Sequence, residues 1–128
     1  MKKAVNTDKA PSPVGPYSQA IKAGNLLFVS GQIAIDPKSG KMINSNVVEE
    51  THMIMKNLEA ILDAAAVDFV DVIKCSIFVR DIRQYALINE VYAEYFSGAN
   101  PPARELVEVS NLPKDASVEI SLIAALNS

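Results

Sequence analysis

Apolar residues recur at two different periods along the chain, and each change of period marks a boundary between elements. From Val47 onward, Val47, Thr51, Ile54, Leu58, Ile61, Leu62 and Ala65 fall three and four apart, the stripe of an amphipathic helix. Asn46 followed by Glu49 resembles a capping box that starts it. The same period returns at Ile88, Val91, Tyr92, Tyr95 and Phe96, so a second helix is predicted from Asp81 to Gly98, with Asp81 and Gln84 capping it reciprocally. Elsewhere the period is two. Asp71 to Val79 alternates, with Ile73, Cys75, Ile77 and Val79 on one face and Lys74, Ser76 and Phe78 on the other.

Further strands are predicted near Lys3 to Val5, from Gln19 to Ala23, and from Leu26 to Ser30, the last two joined as a hairpin by Gly24-Asn25. Between them the prolines at 11, 13 and 16 remove amide donors and impose an irregular extended loop. DPKSGK (36 to 41) reads as a turn after which Met42-Ile43 resumes pairing, and Ala103 to Val109 with Val118 to Leu126 form a closing hairpin. The order β-β-β-α-β-α-β-β describes one α+β domain over residues 1 to 128, a mixed sheet with both helices packed on one face. The other face carries Leu106 and Phe78, and a subunit interface is the natural cover for it.

Composition sharpens that expectation. A hydrophobic fraction of 49% in 128 residues is more apolar surface than one small core hides, which points to an oligomer. The net charge of -3 argues against a generic nucleic-acid surface, because phosphate binding draws on clustered lysine and arginine. One cysteine cannot form an intrachain disulfide, and the N-terminus has no apolar core of a signal peptide. No apolar run approaches the ~20 residues of a membrane helix. A cytoplasmic protein is expected.

Most polar residues have an ordinary reading. His52 is the only histidine, which excludes two-histidine acid–base schemes, and its place in the first helix suits a solvated surface residue. Cys75 lies on the apolar phase of its strand, where a thiol without a neighbouring base is inert packing. Glu49-Glu50 and Glu90/Glu94 suit helix-dipole compensation and solubility. Neither a phosphate-binding glycine loop nor a Cys-x-x-Cys pair occurs, so no cofactor and no metal is expected.

What remains is a set of polar groups at strand ends: Ser30-Gly31-Gln32, Asn89, Arg104 and Glu119. By alternation Arg104, Leu106 and Glu108 share a face, so Arg104 either pairs with Glu108 or offers its planar fork to a carboxylate ligand. Glu119 interrupts Val118, Ile120 and Leu122, and a carboxylate among apolar neighbours has its pKa pushed upward, a useful state for handling a proton.

Taken together, GPYSQA (15 to 20), VSGQIAIDPKSG (29 to 40), NEVYAEYF (89 to 96), PPARELVEV (101 to 109) and LPKDASVEI (112 to 120) resemble the RidA/YjgF family, also called L-PSP, over nearly the whole chain. The resemblance implies a chorismate-mutase-like subunit in a homotrimer, with ligand clefts at the subunit boundaries. It also implies hydrolysis of reactive enamines and imines, such as 2-aminoacrylate and 2-iminopropionate, to 2-keto acids and ammonia, a form of metabolite damage control that needs no cofactor. Transferred onto this chain, Arg104 matches the family's carboxylate-binding arginine and Glu119 its water-activating glutamate. Tyr17, Ser30 and Asn89 match its other cleft residues, and the backbone amides of Gly31 and Leu106 its oxygen-binding donors. The family often reads PARSCVEV, whereas Glu105 and Leu106 stand here in place of Ser-Cys; a backbone amide survives that change, and Glu105 points away from Arg104. If Val109 pairs near Val118, Arg104 and Glu119 lie roughly 13 Å apart along the closing hairpin, so neighbouring subunits would each contribute one of them. Two rivals stand beside this reading: an endoribonuclease or translation inhibitor of the L-PSP type, and a non-catalytic trimer that binds 2-keto acids.

Overall fold

The computed structural model describes residues 1 to 126. Six strands form one sheet: β1 (Lys3–Val5), β2 (Ala20–Ala23), β3 (Leu26–Gln32), β4 (Val72–Val79), β5 (Ala103–Glu108) and β6 (Val118–Ala125). Their spatial order is β1-β2-β3-β6-β4-β5, and only the β4–β5 pair is parallel. Two helices, α1 (Val47–Ala64) and α2 (Tyr85–Tyr95), complete the α+β domain. α1 packs on β3 and β6 and against α2. The core between them holds Leu27, Ile54, Leu58, Ile61, Leu62, Ile77, Ile88 and Ile120, all essentially inaccessible.

The helix stripe forms as the periodicity predicts, with Val47, Thr51, Ile54, Leu58, Ile61 and Leu62 buried. Asn46 Oδ1 accepts the Glu49 amide at 2.9 Å, and the Glu49 carboxylate takes the Ser45 hydroxyl instead of the Asn46 backbone. The second helix starts later than predicted. Asp81 caps a single 3-10 turn (Ile82–Gln84) by accepting the Arg83 amide, and its carboxylate also holds the Arg83 guanidinium; Gln84 makes no side-chain cap.

Three strand expectations need correction. The alternation in β4 slips at a bulge between Val72 and Lys74, which turns Val72 inward and leaves Ile73 46% exposed. Leu106 is opposite Ile77 and packs against the core, so it lies on the helix face and not on the uncovered one. Most consequentially, there is no closing hairpin. β5 joins the far edge of the sheet beside β4, while β6 inserts between β3 and β4. The chain between them crosses over through Pro113–Asp115, where Lys114 and Asp115 both take a φ of +54°, a left-handed conformation that costs a non-glycine residue about 1–2 kcal/mol.

Two buried polar side chains tie down this framework, and neither stands out in the sequence. Gln19 holds the proline-rich loop by donating to the Thr7 and Pro11 carbonyls at 3.0 and 2.9 Å and accepting the Thr7 amide at 2.7 Å. Glu50 is 2% exposed, and its Oε2 accepts the Ser117 and Val118 amides at 2.7 and 3.3 Å, clamping the strained crossover to α1. It therefore does more than compensate a helix dipole. Glu50→Ala is expected to destabilise the protein by about 2–4 kcal/mol in denaturant titrations, because two backbone donors lose a charged acceptor in a dry site. Glu50→Gln, which keeps an acceptor oxygen, should recover part of that loss.

Candidate functional site

Strand pairing divides the candidate residues between the two faces of the sheet. Arg104 is opposite Cys75, whose thiol is fully buried beneath the helices, so Arg104 emerges on the helix face at the open edge of β5. Glu119 is opposite Phe78 on the other face, since its neighbours Val118 and Ile120 point into the core. Between the two lie β4 and an offset of three residues, about 14 Å between backbones by strand geometry. The separation is close to that of the expected hairpin, but its cause is different, and one chain cannot bring the two groups to the same side.

On the helix face, α2 presents Tyr85, Asn89 and Tyr92 toward β5. The Arg104 guanidinium carbon sits 4.8 Å from the centroid of the Tyr92 ring and 5.7 Å from that of Tyr85, and Arg104 Nη2 donates to the Tyr85 hydroxyl at 3.0 Å. The expected alternative, pairing with Glu108, does not occur, because the Glu108 carboxylate accepts the Ile82 amide at 2.9 Å. Among the described residues Arg104 has no carboxylate within ion-pair distance. Beside it opens a cavity of about 420 Å³ lined by Asn89, Tyr92, Phe96, Pro101, Pro102 and Arg104. The Val109 amide bonds to the Val79 carbonyl, so by the two-residue alternation of a strand the Leu106 amide points outward from the sheet edge.

The neighbouring buried groups carry no chemistry of their own. Burial pushes the Cys75 thiol up to about 11, which leaves it protonated and unreactive. The Tyr92 hydroxyl lies against that thiol, is also raised by burial, and has no partner of good hydrogen-bonding geometry among the described residues. His52 stays partly solvated, with a third of its side chain exposed, and its Nδ1 is also 2.9 Å from the Tyr95 hydroxyl, linking α1 to α2.

On the open face, Ser30 and Gly31 form a bulge in β3, two residues facing the single Ser121 between the Val29–Leu122 and Gln32–Ile120 pairs. The Ser30 hydroxyl donates to the Ser18 carbonyl at 2.6 Å, which fixes the bulge against the loop that carries the 52%-exposed Tyr17. Glu119 lies directly over the bulge. A β-carbon at position 31 would stand 2.5 Å from its Oε2 and 2.8 Å from its Cδ, so only glycine admits the carboxylate there. Burial raises the Glu119 pKa above the ordinary glutamate value. Glu105 is on this face too, accepting the Ser76 hydroxyl and pairing with Lys74 at 3.1 Å, and so it does not compete for Arg104.

The predicted residues thus fall into two candidate half-sites, Arg104, Asn89 and the Leu106 amide on one side and Ser30, Gly31 and Glu119 on the other, with Tyr17 on the loop that Ser30 holds. Sequence reasoning missed Tyr85 and Tyr92 as neighbours of Arg104. Their spacing of seven with Asn89 between was the available signal, but nothing local says that α2 docks beside β5. Among the described residues no cluster of metal-ligating side chains occurs, and no helix is long and apolar enough to cross a membrane.

The sequence profile described as endoribonuclease L-PSP matches residues 7 to 126. The chain belongs to that family. It is the family, RidA/YjgF, that the five sequence blocks resemble. A RutC family protein of Pyrococcus horikoshii is 52% identical over 124 residues, covering 97% of this chain and 98% of that one. The mouse protein named 2-iminobutanoate/2-iminopropanoate deaminase is 41% identical over 124 residues, covering 97% and 91%. Among solved structures, Escherichia coli TdcF with bound serine superposes with a TM-score of 0.93 at 37% identity, covering 98% of this chain and 99% of that one. Proteins similar to this chain therefore include one named as a 2-imino acid deaminase and one with serine bound.

Proposed function

We propose that this protein is a cytoplasmic homotrimeric hydrolase that converts small 2-imino acids, of the 2-iminopropanoate and 2-iminobutanoate type, into 2-keto acids and ammonia. The observation that carries the reading is a guanidinium free of any carboxylate among the described residues, beside an open cavity at a sheet edge. The deaminase name of the mouse relative supports the choice of substrate. The half-sites on opposite faces support assembly: the Arg104 side of one copy meets the Glu119 side of the next, and three such boundaries close a ring. The covered face would include Phe28 and Val107, which are 43% and 42% exposed in the single chain.

The chemistry asks little beyond placement. Arg104 holds the substrate carboxylate in two parallel hydrogen bonds, and Asn89 lines the same cavity. Water attacks C2 of the protonated imine while Glu119 of the neighbouring copy takes its proton. A C–O bond forms, and the C=N π electrons return to nitrogen. The glutamic acid then gives that proton to the nitrogen; as the C–N bond breaks, the oxygen lone pair forms the C=O bond and the hydroxyl proton passes through the Glu119 carboxylate to the departing ammonia, leaving a 2-keto acid and ammonium. In this reading the outward amide of Leu106 donates to an oxygen of the intermediate, and position 106 needs no thiol for that.

The test is complementation. Arg104→Ala and Glu119→Gln variants, each inactive in releasing 2-keto acid from an imine made in situ by a serine or threonine dehydratase, are unfolded and reassembled together. Random mixing places an intact Arg104 against an intact Glu119 in about one boundary in four, so roughly a quarter of wild-type activity should return. No recovery would sink the shared-site reading. RNA cleavage that persists in both variants would assign the endoribonuclease label to a different site.

A further inference from the structure

Tyr85 is 44% exposed and has no role in the site as described so far, yet its hydroxyl is the one hydrogen-bond acceptor that Arg104 meets among the described residues. An arginine side chain has many rotamers, and at an exposed sheet edge it would sample many positions. Here it is bounded on two sides. Tyr92 lies under the guanidinium plane at 4.8 Å, and Tyr85, seven residues earlier and hence two turns away on the same stripe of α2, takes Nη2 at 3.0 Å. Asn89, between them on that stripe, faces the same cavity.

The nature of the acceptor matters. A carboxylate at position 85 would hold the guanidinium more tightly but would neutralise it and compete with an anionic ligand. A phenol uses one of five N–H donors, leaves the positive charge in place, and brings a ring that adds cation–π contact at 5.7 Å. Resting on the carboxylate-binding role of Arg104 stated above, we propose that Tyr85 is a positioning residue: its hydroxyl holds the Arg104 guanidinium pre-oriented for a carboxylate, so the entropy of ordering that side chain is lost on folding instead of on binding.

The consequence falls on affinity and not on chemistry. Immobilising one flexible side chain costs about 0.5–1.5 kcal/mol, so Tyr85→Phe, which keeps the ring, should raise KM for the imine about two- to twelvefold and leave kcat within about twofold. The Kd of 2-oxobutanoate, measured by direct titration, should rise by the same factor. In the protein without ligand, ¹⁵N relaxation of the Arg104 Nε–Hε group should show a lower order parameter in Tyr85→Phe than in wild type. An unchanged order parameter, an unchanged KM and Kd, or a fall in kcat with KM preserved would each overturn the proposal. If the wild type binds 2-oxobutanoate but releases no 2-keto acid from imines, the deaminase reading fails, while the titration and the relaxation measurement still decide the role of Tyr85. A wild type that binds no 2-keto acid overturns both.

Discussion

Arg104→Ala is expected to lower kcat/KM for 2-imino acid hydrolysis by about 10²–10³. Each hydrogen bond to a charged group contributes about 1.5–3 kcal/mol, and the loss of a bidentate pair, partly offset by water, leaves about 3–4 kcal/mol, which converts to that factor. The fold should hardly notice. Arg104 is half-buried, makes no ion pair among the described residues, and stacks on a ring that keeps its own core contacts, so the stability change should stay below about 1 kcal/mol. Arg104→Lys keeps the charge but not the planar fork and should fall between the two. Activity of Arg104→Ala within threefold of wild type would remove the carboxylate anchor from the mechanism.

Glu119→Gln should cost about 10²–10⁴ in kcat with a smaller change in KM, the range for losing a positioned general base. Its pH dependence is the sharper test. Burial raises the Glu119 pKa, and the base must be ionised to accept a proton from water. Activity should therefore rise with pH along an acidic limb whose midpoint lies above the ordinary glutamate value, and that limb should vanish from the residual rate of the Gln variant. Stability moves the other way. The native state binds this proton more tightly than the unfolded chain, so the contribution of Glu119 to stability is greatest below its unfolded pKa and declines as pH rises through the folded one. At neutral pH, Glu119→Gln should be neutral to slightly stabilising, the signature of a carboxylate kept for function. A variant that is both inactive and clearly destabilised would mean that Glu119 is structural.

The 31–119 contact explains why the glutamate can be where it is. The carboxylate lies over the bulge at Ser30-Gly31, in space that a β-carbon at position 31 would take. Glu50 accepts the amides of Ser117 and Val118, the two residues just before position 119, and so anchors the start of β6 beside that gap. Stability and site are thus linked through one short segment, Pro113 to Glu119: Arg80 donates to the carbonyl of the left-handed Asp115 at 3.2 Å, and Glu50 of α1 accepts the Ser117 and Val118 amides.

Much of this was legible in one dimension. The α1 stripe, its Asn46 cap, the β2–β3 hairpin and the alternation of β4 from Lys74 onward follow from periodicity and cap chemistry, because those features depend on residues within a turn or two of each other. The same local alternation showed that Glu105 avoids Arg104. The motif blocks gave the family and the candidate residues. Partner choice was decided only in three dimensions. Alternation tells which residues of a strand share a face, but not which strand lies alongside. The crossover that carries β6 past β5 to the middle of the sheet is a competition among long-range burials that no short window contains. From that one decision follow the placing of Arg104 and Glu119 on opposite faces, the docking of Tyr85 and Tyr92 onto the guanidinium, and the use of Glu50 as a clamp, since each is a meeting of segments distant in sequence and close only once the core has closed.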